Sequence, residues 1–256
     1  MESIARFKGR NVIVTGAGSG IGQATVLRLV AEGAMVLAVD LNERGLEQTQ
    51  EQVLAAGARQ IELAVLSVTD EAAIAQRFAA FAQEQGGIHA LVNLAGILTS
   101  RHTTEMSLDD FMQVQTVNLG GTFVCCKEAL PYLLESHGNI VNAASTSAFF
   151  GHAYMAAYSA SKGAIAALTQ ALSREYLNRG VRVNAIAPGG IATPMVAAQA
   201  QSFPEGADFK LYMHLSRPDR QLGKPEDVAA VIALLASDDG NFINGEVVRI
   251  DGGTHG

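Results

Sequence analysis

The segment NVIVTGAGSGIG, at residues 11–22, decides the fold of this chain. Its first five residues form a short, mostly apolar run, which is typical of a parallel strand buried on both faces. The glycines that follow suit a tight turn, and the apolar residues after Gly22 recur at helical spacing as far as Gly33. A strand, a glycine-rich turn and a helix in this order predict the first unit of a parallel α/β sheet.

The rest of the sequence continues this alternation. We predict further strands at residues 34–39, 60–66, 88–92, 139–143, 181–186 and 246–250, and helices at residues 43–56, 70–85, 107–134, 225–236 and around 158–178. Such alternation implies right-handed βαβ units and a doubly wound Rossmann fold of about seven parallel strands with helices on both faces. We see no linker, so we expect one domain over residues 1–256, with a substrate loop or lid at about 190–222.

The composition argues against several classes of protein. The net charge is −7 and the pI is about 5.4, which gives no electrostatic reason to expect nucleic acid or an anionic membrane as a partner. No run of 18 apolar residues and no signal peptide is present. The only cysteines, Cys125 and Cys126, are adjacent and offer no disulfide framework, so we expect a reduced, cytoplasmic setting.

The glycine-rich turn is a candidate phosphate-binding site. Its glycines follow the spacing Gly16-x-x-x-Gly20-x-Gly22, and they would let the backbone approach a pyrophosphate at the N-terminus of the following helix. Taken alone, the turn also fits a methyltransferase.

Asp40 narrows this choice. It ends the second predicted strand, 18 residues after Gly22, where a carboxylate can bind both hydroxyls of an adenosine ribose. The same carboxylate would repel a 2′-phosphate, and neither position 41 nor the turn contains Arg or Lys. We therefore predict NAD as the cofactor in preference to NADP. The alternative interpretation of Asp40 is a solvent-exposed acid on a loop.

Tyr158 and Lys162 are the candidate proton-transfer pair. Four residues apart on a helix, they share one face. A phenol has a pKa near 10, and a neighbouring ammonium lowers that value towards neutral pH. The spacing alone also occurs by chance on many helices.

Together these residues resemble the short-chain dehydrogenase/reductase family in its single-domain, NAD-preferring form, and the resemblance covers essentially the whole chain. Its motifs are matched by residues 15–22, by Asn93-Leu94-Ala95-Gly96, by Asn118, by Ser145 at 13 residues before Tyr158, by Tyr158-x-x-x-Lys162, by Pro188-Gly189 with Thr193, and by Asp251-Gly252-Gly253.

The resemblance implies a role for each of these residues. Tyr158 would be the general acid and base, Lys162 would keep its pKa low and bind the nicotinamide ribose, Ser145 would hydrogen-bond the substrate oxygen, and Asn118 would hold a water that connects Lys162 to solvent. The cofactor would contact Gly16, Ser19, Gly20, Ile21, Gly22, Asp40, Leu41, Ser67, Val68, Asn93, Ala95, Gly96, Tyr158, Lys162, Pro188, Gly189, Ile191 and Thr193. The family tendency is a homotetramer, and small residues on the long helices, such as Ala167 and Ala171, would permit close packing of subunits.

Three residues depart from the family pattern. Leu94 replaces an Asn that commonly ties strands together, Ser67 replaces an Asp that contacts the adenine, and Ala144 replaces a second Ser. These three replacements bear on the expected cofactor affinity more than on the expected catalysis.

The sequence predicts the substrate less directly than the cofactor. We expect contacts from Ser145, His152, Tyr158, Gly190 and Met195, in a pocket that also draws on Ile97, Leu98, 149–155 and 195–222. The apolar members of this set favour an uncharged, moderately hydrophobic secondary alcohol or ketone of a cyclic or steroid-like kind. A sugar or polyol dehydrogenase, a 3-oxoacyl-thioester reductase and a regulatory protein that only binds the cofactor are the alternatives. His152 could equally be structural, and the other histidines show no metal-ligand spacing, so we expect no metal site.

Overall fold

The seven predicted strands form a single parallel sheet. The computed structural model describes residues 5–215, 219 and 221–255, and the statements below concern these residues. The strands are β1 (Asn11–Thr15), β2 (Met35–Asp40), β3 (Ile61–Val65), β4 (Ala90–Asn93), β5 (Asn139–Ala143), β6 (Arg182–Pro188) and β7 (Val247–Ile250). Their order across the sheet is β3-β2-β1-β4-β5-β6-β7, with every neighbouring pair parallel. The prediction of a doubly wound fold is confirmed.

Eight α-helices cover the two faces of the sheet. They are α1 (Gly20–Ala31), α2 (Glu43–Ala55), α3 (Glu71–Gln85), α4 (Leu108–Gln115), α5 (Gly121–Ser136), α6 (Ala156–Glu175), α7 (Pro194–Gln201) and α8 (Pro225–Ala236). The apolar core lies in two main layers. One contains the buried faces of α1, α2 and α8, and the other contains those of α3, α5 and α6.

The order of the strands creates the crevice in which a ligand would lie. β1 pairs with β2 on one side and with β4 on the other, so the connection that leaves the carboxyl end of β1 runs towards β2 and the one that leaves β4 runs the opposite way, towards β5. Ligands on open parallel sheets bind at such a switch point. The residues that follow β1, β2, β4, β5 and β6 therefore face one cleft.

The segment predicted as one helix at 107–134 is two helices. A wide π-helical turn, Thr116–Gly120, separates α4 from α5, and Asn118 lies in the middle of it. A helical periodicity read from sequence does not distinguish this turn from ordinary α-helix, because one extra residue per turn is hidden within a long apolar pattern.

The predicted lid also has structure of its own. It contains α7 and the 3₁₀-helical segment Phe209–Leu215, while its residues 216–218 and 220 lie outside the described part of the chain. The Thr193 hydroxyl caps α7 by accepting from the Val196 N–H, and Pro194 occupies the first helical turn.

The loss of the second Asn at Leu94 is compensated within the core. The Asn93 amide donates to Asn142 Oδ1 at 2.9 Å, and the Asn142 amide donates to Thr169 Oγ1 at 3.0 Å. On the other side, Thr15 Oγ1 accepts from the backbone N–H of Leu94 at 3.1 Å. These bonds join β1, β4, β5 and α6 without the missing side chain.

In the part of the chain that the structure describes, none of the helices combines the length and the hydropathy that a membrane span requires.

Candidate active site

A cleft of about 530 Å³ lies at the carboxyl ends of the strands. That volume falls within the range of about 300–1,000 Å³ that is usual for small-molecule sites. The predicted residues that line it are Gly16, Ser19, Gly20, Ile21, Gly22, Asp40, Leu41, Ser67, Val68, Ala95, Gly96, Ser145, Tyr158, Lys162, Pro188, Gly189, Ile191, Thr193 and Met195. The folding of the chain thus brings together residues that are up to 179 positions apart in sequence, from Gly16 to Met195.

The glycines of the first turn are required by close packing of backbone. Gly16 has a φ of 68°, and a Cβ there would lie 2.7 Å from the Ala95 nitrogen. A Cβ on Gly22 would lie 1.8 Å from the Gly16 oxygen. No side chain can occupy these positions, so the turn presents bare backbone to the cleft.

The N-terminus of α1 completes a cradle for a pyrophosphate. Ser19 is its N-cap residue, and its side chain makes no capping hydrogen bond. The first N–H groups of a helix have no partner within the helix and carry the positive end of its dipole. Free N–H donors beside a glycine-rich turn fit the diphosphate of a dinucleotide.

Asp40 is held in place by backbone donors. Its Oδ2 accepts from the Gly18 N–H at 2.9 Å, and its Oδ1 accepts from the Asn42 N–H at 2.9 Å. Each carboxylate oxygen keeps further acceptor capacity. The carboxylate is therefore pre-oriented beside the turn, with lone pairs left for a pair of ribose hydroxyls.

Tyr158, Ser145 and Lys162 meet at the other end of the cleft. Ser145 follows β5, and its Oγ accepts from the Ser147 N–H at 3.2 Å, which leaves its own proton free to donate. Tyr158 lies within reach of that proton, and this interaction with Ser145 lowers the pKa of Tyr158. The Lys162 ammonium lies 5.6 Å from the centre of the Tyr158 ring and donates to the Ala143 carbonyl at 2.7 Å.

Burial acts on both titrating groups of this pair. It lowers the pKa of Lys162 to about 8. It raises the pKa of Tyr158, and the hydrogen bond with Ser145 offsets only part of that rise. The expectation that Lys162 lowers the pKa of Tyr158 stays a prediction, because the effects that act on Tyr158 here are burial and the hydrogen bond with Ser145.

Asn118 lies behind the cleft and does not line it. It is fully buried, its Oδ1 accepts from the Ile97 N–H at 2.8 Å, and its Nδ2 donates to the Ile97 carbonyl at 3.0 Å. A second donation from Nδ2 reaches the Ser161 hydroxyl at 3.0 Å. The side chain thus braces the loop after β4 against α6, and the predicted water-holding role stays a prediction.

Three other predicted residues lie outside the cleft. Asn93 is buried between β4 and β5, where its amide bonds Asn142. Gly190 borders a separate cavity of about 240 Å³ with Leu222 and Asp251. His152 packs in another direction, as described next.

His152 belongs to a cluster that joins the loop after β5 to the C-terminal tail. Its electrostatic neighbours in the described chain are His255 and His214, and burial together with these two groups lowers the pKa of His152 to about 4. The His255 ring stacks on Phe150 at 4.0 Å and its Nδ1 is 3.0 Å from Asp251 Oδ2. His152 is only six positions before Tyr158 in sequence, but it does not line the cleft.

Sequence reasoning missed several residues that line the cleft. They are Val39, Leu66, Leu94, Gln113, Val117, Ala143, Ala144 and Pro194. Gln113 and Val117 come from α4 and the π-helical turn, so only the interruption of the predicted long helix would have revealed them.

The fold and the cleft define an α/β oxidoreductase that binds a nicotinamide dinucleotide. Residues 16–255 match the family model described as enoyl-(acyl carrier protein) reductase. The chain is 37% identical over 250 residues to a 3-oxoacyl-(acyl-carrier-protein) reductase of Thermotoga maritima, which spans 97% of this chain and 98% of the relative. The chain therefore belongs to the short-chain dehydrogenase/reductase family.

Solved structures agree with this assignment. A crystal structure of levodione reductase has a TM-score of 0.90 at 35% identity and covers 96% of this chain and 98% of its own. A Mycobacterium paratuberculosis dehydrogenase bound to NAD has a TM-score of 0.90 at 27% identity, covering 97% and 98%. A Beutenbergia cavernae gluconate 5-dehydrogenase with bound NADP has a TM-score of 0.87 at 33% identity, covering 98% and 98%. The family thus uses either dinucleotide.

Replacing Gly22 with Ala should abolish dinucleotide binding. The new Cβ would lie 1.8 Å from the Gly16 oxygen, so the turn must move and its free N–H groups lose their alignment. NADH titration followed by nicotinamide fluorescence should show at least about a 100-fold weaker Kd, and thermal melts should report a lower Tm. Gly151→Ala is the control, since no atom lies within 4 Å of a Cβ there and its φ lies outside the left-handed region. An NADH affinity of Gly22→Ala equal to that of the wild type would contradict the assignment of the glycine turn as the phosphate-binding site.

Acid should destabilise the protein through His152. Its imidazole has a pKa of about 4 in the folded chain against 6.5 when it is fully hydrated, so the folded state binds fewer protons than the unfolded state. Stability therefore falls as the pH drops from about 6.5 to 4. Between pH 7 and 4.5 the wild type should lose on the order of 2 kcal/mol more than His152→Phe, measured by urea unfolding. His137→Asn, at an exposed position, should follow the wild type. Parallel pH curves for wild type and His152→Phe would remove His152 from this account.

Proposed function

We propose that this protein is an NAD(H)-dependent oxidoreductase that interconverts a secondary alcohol and a ketone. The observation that carries the proposal is the arrangement of Ser145, Tyr158 and Lys162 at one end of a cleft whose other end contains the glycine turn and Asp40. A dinucleotide laid along the cleft has its adenosine at Asp40 and its nicotinamide near Tyr158. Bound there, the nicotinamide supplies or accepts the hydride.

The chain's own residues handle the proton and the substrate oxygen. The raised pKa of Tyr158 keeps its hydroxyl protonated at neutral pH, so it can donate a proton to a ketone oxygen as charge develops there. The free proton of Ser145 can hydrogen-bond the same oxygen and stabilise that charge. In the reverse direction Tyr158 must first lose its proton, so we expect alcohol oxidation to be favoured by alkaline pH.

Lys162 supplies positive charge beside Tyr158. The bond to the Ala143 carbonyl fixes the ammonium within the cleft, where it can also reach a ribose hydroxyl. Because its pKa is about 8, the ammonium is charged at neutral pH and loses its proton as the pH rises through that value. Its support for a phenolate should decline over the same range.

NAD is preferred to NADP on the evidence of Asp40. Its carboxylate lies beside the turn in a fixed orientation, and Leu41 at the next position carries no charge. A 2′-phosphate would meet this carboxylate directly, which costs free energy by like-charge repulsion. Ser67 and Thr69, whose hydroxyls bond each other at 2.8 Å, offer an acceptor for the adenine in place of the Asp of relatives.

The cleft favours an uncharged and moderately hydrophobic substrate, such as a cyclic or steroid-like alcohol or ketone. Its apolar lining includes Ile97, Val117, Met195 and Val196. Asp40 and Lys162 are the charged residues among those that line it. Gln113 is the polar group that remains for a substituent of the substrate.

The alternatives predict different behaviour. A sugar or polyol dehydrogenase would prefer substrates with several hydroxyls, and a 3-oxoacyl-thioester reductase, which the name of the Thermotoga maritima relative supports, would prefer acyl thioesters with NADPH. A regulatory protein would bind NADH without turnover. A panel of cyclic ketones, polyols and acyl thioesters, followed at the nicotinamide absorbance with both cofactors, separates these possibilities.

Assembly and setting are part of the same proposal. Ala167 and Ala171 lie exposed on α6, and Phe123 on α5 is 51% exposed, which supports a homotetramer in which these helices meet a second copy. Burial raises the pKa of the Cys126 thiol to about 12, so it is unreactive and suits a reduced, cytoplasmic setting. We propose neither a nucleic-acid nor a membrane partner.

Replacing Tyr158 with Phe should lower kcat by at least about 100-fold, because it removes the proton that the substrate oxygen receives. Rates with NADH and the most active ketone give kcat, and fluorescence titration should show an NADH Kd within about twofold of the wild type. Tyr176→Phe, at the end of α6, is the matched control. Substantial turnover by Tyr158→Phe would contradict the role of this hydroxyl in proton transfer.

Replacing Asp40 with Asn should narrow the preference for NAD over NADP by about tenfold or more, since the variant retains an acceptor oxygen but not the charge that opposes a 2′-phosphate. Asp40→Ala, which also loses the bonds to Gly18 and Asn42, should in addition weaken NAD binding. The ratio of kcat/KM for the two cofactors is the measurement. A ratio that stays constant in both variants is incompatible with selection by Asp40.

A further inference from the structure

Ser161 is a fully buried hydroxyl between the two residues of the proton-transfer pair. It lies on α6, three positions after Tyr158 and one before Lys162, with 0% exposure. Its Oγ donates to the Tyr158 carbonyl at 2.7 Å and accepts from Asn118 Nδ2 at 3.0 Å. The hydroxyl therefore links the turn that carries the pair to a residue of a different element.

Asn118 extends this link to the loop after β4. Its other amide proton and its oxygen are both used by the backbone of Ile97, at 3.0 Å and 2.8 Å. The side chain is enclosed, so these bonds fix its orientation and leave it little freedom to rotate. Ser161 is thus the far end of a bridge that runs from Ile97 through Asn118 to Tyr158.

The bridge spans the place where Lys162 enters the cleft. A Cβ on Gly96 would lie 3.1 Å from Asn118 Oδ1 and 3.7 Å from Lys162 Nζ, so both groups pack close to Gly96 on the side where a side chain would project. Gly96 also lines the cleft. Any shift between the loop after β4 and α6 would therefore change where the ammonium lies relative to the cleft.

We propose that Ser161 is a positioning residue, which fixes the turn carrying Tyr158 and Lys162 against the loop after β4 through Asn118. The proposal rests on the proposed oxidoreductase function, because its effect is on the geometry of proton transfer. Ser161 itself touches neither substrate nor cofactor.

The physical reasoning has two parts. Removing the hydroxyl leaves one Asn118 proton buried without an acceptor, which is costly enough that the amide must rotate or the loop must move. Catalysis depends steeply on such positions, since a displacement of about 1 Å can cost about 100-fold in rate. The cofactor cradle at the glycine turn lies at the other end of the cleft and should be unaffected.

A second serine on α6 provides a control that distinguishes this positioning role from ordinary helix packing. Ser173 is buried, and its Oγ donates to the Gln170 carbonyl at 2.8 Å, which is the same bond to the residue three positions earlier. It lies twelve positions beyond Ser161 and has no contact with Asn118 in the hydrogen bonds described. Ser173→Ala therefore reproduces the local change without the bridge.

The first experiment compares kinetics. Ser161→Ala should lower kcat for the most active ketone by about tenfold or more and leave KM for NADH within about twofold, whereas Ser161→Thr should recover most of the rate and Ser173→Ala should match the wild type. A kcat of Ser161→Ala equal to that of the wild type overturns the proposal. An equal loss of kcat in a folded Ser161→Thr variant also overturns the proposal, since a change of packing would then be the cause. If Ser161→Ala does not fold, Ser161→Cys, with its weak hydrogen-bonding thiol, takes its place with the same expectation.

The second experiment tests whether Ser161 acts through Asn118. In an Asn118→Ala background, Ser161→Ala should change kcat by less than about twofold, because the bridge is already broken. Effects that multiply independently in this double-mutant cycle would overturn the proposal.

A third measurement does not depend on turnover. Hydrogen exchange of the Ile97 amide, which donates to Asn118, should be at least about tenfold faster in Ser161→Ala than in the wild type or in Ser173→Ala. If the wild type turns over no carbonyl compound, the proposed function fails, yet this exchange still decides whether the bridge exists. Unchanged Ile97 exchange in Ser161→Ala overturns it.

Discussion

The burial of the Lys162 ammonium is the constraint that the rest of the site depends on. Only about 5% of this residue is exposed, and loss of hydration lowers its pKa to about 8. An isolated buried charge costs several kcal/mol, so the surroundings must provide an acceptor or the group must lose its proton. The Ala143 carbonyl at the end of β5 is that acceptor. Strand β5 must therefore stop where it does, and α6 must approach it closely.

Close approach of backbone is the second requirement, and it is met by glycine at the same edge of the sheet. Gly16 packs against Ala95, and Gly96 leaves the space between Asn118 and Lys162 open. A turn without side chains at one end of the cleft and a loop without a side chain near the other allow one extended molecule to lie along it. The donors at the two ends are different in kind, with helix N–H groups for phosphate and a Ser–Tyr–Lys set for a reacting oxygen. This difference gives the cleft its direction.

The sequence allowed most of the fold to be predicted, because parallel strands buried on both faces read as continuous apolar runs and the glycines mark where they end. It also identified the cleft residues that follow those strands, from Gly16 to Thr193. It did not identify features that depend on the direction of a side chain. His152 is near Tyr158 in sequence, yet it does not line the cleft, and its pKa responds to His255, which is 103 positions away. The pKa of Tyr158 also depends on its degree of burial, which raises it and is a property of the folded surroundings.

Asn118 shows why a matched motif does not by itself assign a role to each atom. The wide turn that carries it, Thr116–Gly120, uses five residues where an α-helical turn uses about four, and such turns are frequent at functional sites. All the bonds of its side chain are to protein, since both polar atoms contact Ile97 and one also contacts Ser161. Its carbonyl accepts from the Thr122 hydroxyl at 2.7 Å. An amide with so many fixed partners acts first as a brace, and any part it takes in proton movement must go through its backbone oxygen or its remaining lone pair. The requirement for Asn at this position therefore follows from geometry: only a side chain that both donates and accepts can pair with the N–H and the carbonyl of the same residue and still donate to a serine on the catalytic helix.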